Sequence, residues 1–316
     1  MAVYTDVSDQ DLEAFLGGFA LGRPVAFKGI AEGVENSNYL LETELGRYIL
    51  TLFERRVRPD DLPYFLDLMT FLADRGYPCA RPITDRKGAV LNTLAGRPAV
   101  IVAFLPGLSA RRPSVAQCRQ AGVGLGWLHR AGADFARCRV NPLGLEAWRN
   151  VASSLSDRAE ALKPGLAKLV AADLEALQRT WPRDLPQGVV HADWFPDNVF
   201  FNGGAFAGAI DFYFAADDLL AYDIGVALNA WCFEADGSFN VTASAALISG
   251  YESRRTLSAA ERDALPVLAR GAAMRFFLTR LADWGDERAG ALVRPKDPLE
   301  YERKLAIHRA GLDMIF

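Results

Sequence analysis

Histidine, cysteine and excess positive charge are all scarce in this chain. Its 316 residues include three histidines and four cysteines, and acidic side chains outnumber basic ones to leave a formal net charge of -4. That balance argues against a nucleic-acid backbone or an anionic membrane surface as the main partner, since either favours a basic face. Cys79, Cys118, Cys138 and Cys232 are scattered and form no CxxC pair, so neither a disulfide framework nor a structural zinc site is expected. The longest apolar run, around Ala99–Leu105, is too short to span a bilayer. The opening stretch MAVYTDVSDQDLEAF lacks the basic region followed by an apolar segment that marks a signal peptide. A cytoplasmic protein without membrane or nucleic-acid partners, monomeric or weakly homo-oligomeric, is the expectation.

What is present falls into two textures. Ser8 with Asp11 three residues on predicts a capped helix to about Gly17, and alternating apolar residues predict strands at 25–30, 38–43 and 47–53. A helix over 59–75, stopped by Gly76 and Pro78, and strands at 89–94 and 98–104 complete a β-rich first part. After the Pro-Gly of "FLPGLS" the spacing turns helical, at 114–130, 143–158, 165–180, 219–232, 242–253, 259–284 and 298–314. Only "GVVH", "NVFF" and "FAGAIDF", within 188–212, interrupt it as short strands. An α+β chain with a β-rich lobe at 1–104 and a larger helical lobe at 105–316 follows, and the cleft between two lobes is the natural ligand site.

The polar side chains concentrate in "VVHADWFPDNVFF", residues 189–201. His191, Asp193 and Asn198 have the H-x-D-x-x-x-x-N spacing of a kinase catalytic loop. In phosphoryl transfer a carboxylate orients the acceptor hydroxyl and takes its proton, while a neutral oxygen helps to hold the metal. Asp193 suits the first role and Asn198 the second, with His191 structuring the loop. A second metal-holding carboxylate should follow a short hairpin, and "AIDFY" supplies Asp211. The competing reading is a plain hairpin whose Asp and Asn residues form turns.

Between the first two strands, "GIAEGVENSNYLL" offers Gly33, Asn36, Ser37 and Asn38 as small polar groups able to cover nucleotide phosphates. A connecting loop would read the same way. The strand "AVIVAFLPG" could present the backbone of Val102, Phe104 and Leu105 to an adenine edge, and a plain core strand reads identically.

With these motifs in order, the chain resembles the kinases of the aminoglycoside phosphotransferase and choline kinase superfamily, which share a protein-kinase-like bilobal fold and phosphorylate small molecules. More narrowly, "GVENSNYLL", "YILTLFE", "HADWFPDNVFF", "GAIDFYFA" and "LAYDIGVALNAWC" are similar to the bacterial homoserine kinases of this fold. Nothing like the P-x-x-x-G-L-G-S-S-A loop of the unrelated homoserine kinase family occurs. The resemblance implies ATP and Mg2+ as cofactors, L-homoserine as small-molecule substrate, Asp193 as catalytic base and Asn198 with Asp211 as metal ligands. It also implies that Asp223 caps the helix behind the catalytic loop. One departure stands out: where relatives carry a strand lysine for the phosphates, this chain has Thr51, and the following helix has Asp67 rather than a glutamate. Either Thr51 bonds a phosphate while Lys28, Arg55 or Arg56 supplies charge, or the chain only binds nucleotide.

A zwitterionic amino-alcohol needs a cation for its carboxylate as well as Asp193 near its hydroxyl. Arg275 and Arg280 lie in the apolar helix "MRFFLTRLADW", and "ALNAWCFE" adds Asn229 and Trp231, while Tyr213 follows Asp211. Arg280 is the preferred carboxylate ligand; an internal ion pair is the alternative for both arginines. His129 and His308 are expected to be ordinary helix histidines.

Overall fold

A computed structural model describes residues 4–30, 36–54, 57–285 and 296–311. They divide into two compact units that part between Pro106 and Gly107. In the first unit, helix α1 (Asp9–Leu16) starts where Ser8 Oγ accepts the Asp11 amide at 3.1 Å, as its spacing predicts. Strands β1 (Pro24–Gly29), β2 (Asn36–Thr43) and β3 (Gly46–Phe53) follow. A 3-10 turn (Pro59–Asp61) leads into α2 (Leu62–Asp74), and β4 (Asn92–Leu94) and β5 (Arg97–Ala103) close the sheet. The strand order is β1-β2-β3-β5-β4, with every neighbouring pair antiparallel.

Alternation divides the residues of this sheet between its two faces. Tyr39, Leu41, Leu50, Leu52, Ala99 and Ile101 bury against Leu12, Leu16 and Phe19, which fixes the register because a one-residue slip would turn them all outward. The opposite face carries Lys28, Leu40 and Ile49 in one cross-strand row and Asn38 with Thr51 in the next.

The second unit is helical, with α3 (Val115–Ala131), α4 (Leu145–Ser154), α5 (Ser156–Leu162), α6 (Leu166–Thr180), α7 (Leu220–Trp231), α8 (Val241–Glu252), α9 (Ala259–Asp283) and α10 (Pro298–Arg309). The single helix expected over 143–158 is in fact two, because Leu155 leaves helical geometry at φ -104°, ψ 8°. Strand β6 (Gln187–Val190) pairs with β9 (Ala216–Leu219), and β7 (Val199–Asn202) with β8 (Ala205–Ala209). Strand β9 escaped the sequence reading because "ADDL" has no alternation; its pairing with β6 makes it a strand.

Two features of this unit position the loop that matters. Gly122 of α3 and Gly250 of α8 let the two helices approach so closely that a methyl group at either would overlap the other's backbone. Helix α7 is buried along nearly its whole length, Asp223 included. No helix of the described residues is long and apolar enough to cross a membrane.

Candidate active site

Residues 191–198 connect β6 to β7 and end in a 3-10 turn, Pro196–Asn198. The loop is held from behind by one carboxylate. Asp223, fully buried on α7, accepts the amides of His191 (2.7 Å) and Ala192 (2.8 Å), and His129 Nε2 lies 3.2 Å from the same group. Asp223 is therefore not a helix cap, as the sequence suggested. It is the fourth residue of α7 and spends its oxygens on the loop. Burial pushes its carboxyl up, but the hydrogen bond and charge of His129, with the pull of His191, outweigh that and hold it below the usual range.

Ala192 sits at φ +60°, a left-handed conformation unfavourable for a residue with a Cβ. Three bonds fix it there or beside it: its amide and that of His191 go to Asp223, and its carbonyl accepts from Arg275. His191 is fully buried, its Nε2 donating to the Ile210 carbonyl at 2.9 Å while Nδ1 accepts the Asp193 amide at 3.3 Å. Burial lowers the imidazole below its ordinary range despite the nearby Asp223 and Asp193. Both ring nitrogens are thus occupied, and the ring is a neutral strut.

The loop presents Asp193, which is half-buried. Asn198 Nδ2 donates to the Asp193 carbonyl (2.9 Å) and to its Oδ2 (3.0 Å). Asp193 Oδ1 and Asn198 Oδ1 remain without a partner among the described residues. Asn198's carbonyl accepts the Ile210 amide at 3.0 Å, which ties the end of the β7–β8 hairpin to the loop and delivers Asp211 beside it. Asp211 is itself left-handed, at φ +63°, and the next ring, Phe212, is fully buried with its centre 4.8 Å from that of His191. Short-range hydrogen bonds thereby join Asp193 to Asn198 and tie Asn198 to Ile210, the residue before Asp211.

The other expected site residues fare differently. Gly33, Arg55 and Arg56 lie outside the described residues. Ser37 does not face a phosphate: it is fully buried, accepts the Tyr4 (2.8 Å) and Thr5 (3.2 Å) amides and donates to Glu54 at 2.6 Å. Thr51 donates to Asn38 Oδ1 at 2.7 Å, which fixes the amide of Asn38 with Nδ2 left to donate elsewhere. Asn36 keeps a buried Oδ1 unpaired among the described residues. Val102 is committed to the sheet opposite Ile49 and to a bridge with Pro82, and the Phe104 amide donates to the Arg47 carbonyl. Of the backbone groups expected to meet an adenine edge, the Phe104 carbonyl and Leu105 are the ones not committed to these bonds.

On the acceptor side, Asn229 is corrected to a packing residue. It is fully buried, with Nδ2 donating to the Gly225 (2.9 Å) and Ala269 (2.7 Å) carbonyls and Oδ1 meeting His308 Nε2 at 2.9 Å. Trp231 Nε1 donates to the Trp194 carbonyl at 2.8 Å and so braces the loop. Arg275 serves the Ala192 carbonyl between the rings of Phe214 and Phe276. Arg280 pairs with Glu300 at 2.6 Å and the Asp297 carbonyl at 3.1 Å, the internal pair weighed against a ligand role. Tyr213 is half-buried on the turn after Asp211.

The sequence pattern of the phosphotransferase enzyme family matches residues 26–257. A homoserine kinase of Caulobacter sp. (strain K31) is 68% identical over 99% of this chain and 98% of its own length. A homoserine kinase of Phenylobacterium zucineum (strain HLK1) is 62% identical over 100% of this chain and 98% of its own. The chain belongs to the homoserine kinases of the phosphotransferase enzyme family. Among solved structures, a spectinomycin phosphotransferase bound to AMP superposes with a TM-score of 0.69 at 14% identity, covering 98% of this chain and 100% of that one. A choline kinase from Cryptosporidium parvum gives 0.66 at 14% identity over 90% and 88%. These neighbours establish the protein-kinase-like α+β fold.

Within this family member, the residues that sequence reasoning missed are those that support the loop from a distance. His129 joins Asp223 to the Tyr251 hydroxyl (Nδ1 at 2.7 Å), and Arg255 Nη1 links Tyr251 (3.1 Å) to Glu261 (2.8 Å). A buried polar chain thus runs from the start of α9 through α8, α3 and α7 to the loop at residues 191–198. The only signal in the sequence was a histidine on an apolar helix face.

Buried histidines also give a pH prediction. His191 and His308 are both pushed down chiefly by burial, His308 to about 3. Each is neutral when folded and takes a proton once unfolded, so its contribution is complete above the unfolded value of about 6.5 and is lost as pH falls from there toward the folded value. The depressed carboxyl of Asp223 acts in the same direction below about pH 3.9. Stability should therefore fall on acidification from neutral pH, by up to about 1.4 kcal/mol per pH unit for each histidine. Thermal unfolding across this range should show a declining Tm, with a shallower decline in His308→Gln; a flat profile would contradict the assignment of buried neutral rings.

Proposed function

We propose that the chain transfers the γ-phosphoryl group of ATP to the hydroxyl of L-homoserine, giving O-phospho-L-homoserine on the route to threonine. The observation that carries this reading is the bonding of Asn198 to Asp193 and to the backbone of Ile210, next to Asp211, in a chain 68% identical to a homoserine kinase. Asp193 Oδ1 accepts the hydroxyl proton as the substrate oxygen bonds to the γ-phosphorus. The bond from that phosphorus to the bridging oxygen breaks, and its electron pair leaves with ADP. Asn198 holds Asp193 Oδ2, so one carboxylate oxygen is fixed and the other is aimed at the acceptor.

Asn198 Oδ1 and the Asp211 carboxylate are hard oxygen donors and fit Mg2+, which ordinarily takes one or two carboxylates together with phosphates and water. These two side chains would hold the ion together with the nucleotide phosphates and water. When bound, the ion neutralises charge on the transferring phosphates. In the first unit, Asn38 Nδ2, oriented by Thr51, and Lys28 on the same sheet face take the place of the missing strand lysine, with Asn36 at the strand start. The Phe104 carbonyl and Leu105 receive the base. Tyr213 borders the acceptor, and Arg275, Arg280 and Trp231 support that side from within.

A coupled ADP-release assay with Mg-ATP against L-homoserine, L-serine, choline, methylthioribose and kanamycin tests the substrate. Turnover should be greatest with L-homoserine. Serine lacks one methylene, which is worth only about 1–3 kcal/mol, so slow turnover of serine is compatible with the assignment. Preference for choline, methylthioribose or kanamycin would overturn it.

A further inference from the structure

Resting on the homoserine kinase reading, the side chains around Asp193 in the second unit also bear on how a carboxylate-bearing acceptor is told from one without. Among the described residues, Arg275, Arg280, Lys304 and Lys296 lie along this side, and the first three are spoken for. Arg275 serves the Ala192 carbonyl, and Arg280 is bonded to Glu300 and the Asp297 carbonyl. Lys304 donates to Glu300 at 2.8 Å and to the Asn229 carbonyl at 2.9 Å. All three are buried, and two of them share the one carboxylate of Glu300. These two cations therefore outnumber the carboxylate they share. Burial first, and then the charges of Arg280 and Lys296, lower the Lys304 ammonium against the pull of Glu300.

The fourth cation is Lys296. It is exposed, and its ammonium has no carboxylate partner among the described residues. Its neighbour Asp297 does not serve it, being occupied with the Leu299 amide at the N-cap of α10 and facing Arg303. Instead, Lys296 Nζ lies 5.5 Å from the centre of the Phe195 ring. Phe195 is two residues beyond Asp193 and its amide donates to the Asp193 carbonyl at 2.8 Å. Its ring packs on Phe276, 4.9 Å between centres, so the aromatic group beneath the lysine is anchored to α9. An ammonium without a carboxylate partner among the described residues is thus placed over the ring that adjoins the catalytic carboxylate.

L-Homoserine separates its hydroxyl from its carboxylate by three carbons, so an acceptor whose hydroxyl meets Asp193 extends its carboxylate a short way along this surface. We propose that Lys296 receives the α-carboxylate of the acceptor and is the residue that selects amino-acid alcohols over simple amino alcohols. The cost of desolvating a substrate carboxylate is met by a cation with no carboxylate partner among the described residues, whereas Arg280 would first have to break its pair with Glu300.

The test is a comparison of Lys296→Met and Lys296→Arg with the unaltered enzyme on two acceptors, L-homoserine and 3-aminopropan-1-ol, which is homoserine without its carboxylate. The amino alcohol is read by turnover or, where that is too slow, by competitive inhibition of homoserine phosphorylation. Lys296→Met should lower kcat/KM for L-homoserine by about 10- to 100-fold, mainly through KM, as expected for loss of a charge-assisted contact. It should change the amino alcohol's constant by less than about 2-fold, and Lys296→Arg should retain most of the homoserine activity. An equal loss on both acceptors, or no loss on homoserine, overturns the assignment while leaving the proposed function intact. Unaltered enzyme that phosphorylates a carboxylate-free acceptor and ignores L-homoserine overturns both. Because Lys296 is exposed, the Tm of the variants should match the unaltered enzyme.

Discussion

Asp193→Asn should reduce homoserine-dependent ADP release by about 10²- to 10⁴-fold, the range that removal of a positioned general base produces. The substitution is close to isosteric. The carbonyl oxygen of the new amide can still accept from Asn198 Nδ2, which now bonds Asp193 Oδ2 at 3.0 Å, so the loop should keep its shape. What disappears is the oxygen able to take the acceptor's proton. His191 cannot replace it, because both of its ring nitrogens are committed and its ring is kept neutral by burial. The loss should fall on kcat, with Mg-ATP affinity by calorimetry and Tm little changed. A variant that retained half of its activity, or lost activity only in proportion to lost stability, would remove Asp193 from the chemistry.

Asp223→Ala should be the most damaging single change to the fold. It strips the acceptor from two buried amides, those of His191 and Ala192, and from His129 Nε2. Breaking a buried charged cluster by removing one member costs about 3–5 kcal/mol, a large part of the 5–15 kcal/mol that ordinarily holds a domain folded. Ala192 would at the same time lose the restraint on its left-handed backbone, so activity should fall in the fraction that remains folded. Asp223→Asn should be milder in stability, since it keeps one acceptor oxygen, yet still impaired, because its amide nitrogen would confront an N–H donor. Denaturant unfolding gives the first quantity and kcat on the folded fraction the second. Equal, near-normal stability for both variants would mean that Asp223 does not hold the loop.

The part of the candidate site that was legible in the sequence is the part built from near neighbours. Asp193 and Asn198 are five residues apart and bonded to each other, and Asp211 follows one short hairpin later, so spacing alone exposed them. The support behind them was hidden by distance along the chain. His129 reaches Asp223 across 94 residues and Tyr251 across 122, and no local pattern encodes such a pair. Asp223 was visible as an acidic residue near a helix start, but whether its oxygens turn to its own helix or to a loop is decided by packing. The same limit applies in the first unit. The alternation that correctly placed β2, β3 and β5 says nothing of which side chains meet, and only the register discloses that Thr51 serves Asn38 and that Ser37 anchors residues 4 and 5. Arg280 drew attention as a cation in an apolar helix, a position that turned out to require an internal carboxylate. Lys296, on an irregular segment, drew none.

The central claim is best tested by identifying the product. Phosphorus NMR of the purified protein with Mg-ATP and L-homoserine should show ADP and a new phosphate monoester appearing together, coupled to the methylene that bears the homoserine hydroxyl, and neither should accumulate with Asp193→Asn. ADP that forms at the same rate with and without L-homoserine, or a homoserine monoester that Asp193→Asn produces as fast as the unaltered chain, would contradict the assignment of this chain as a homoserine kinase acting through Asp193.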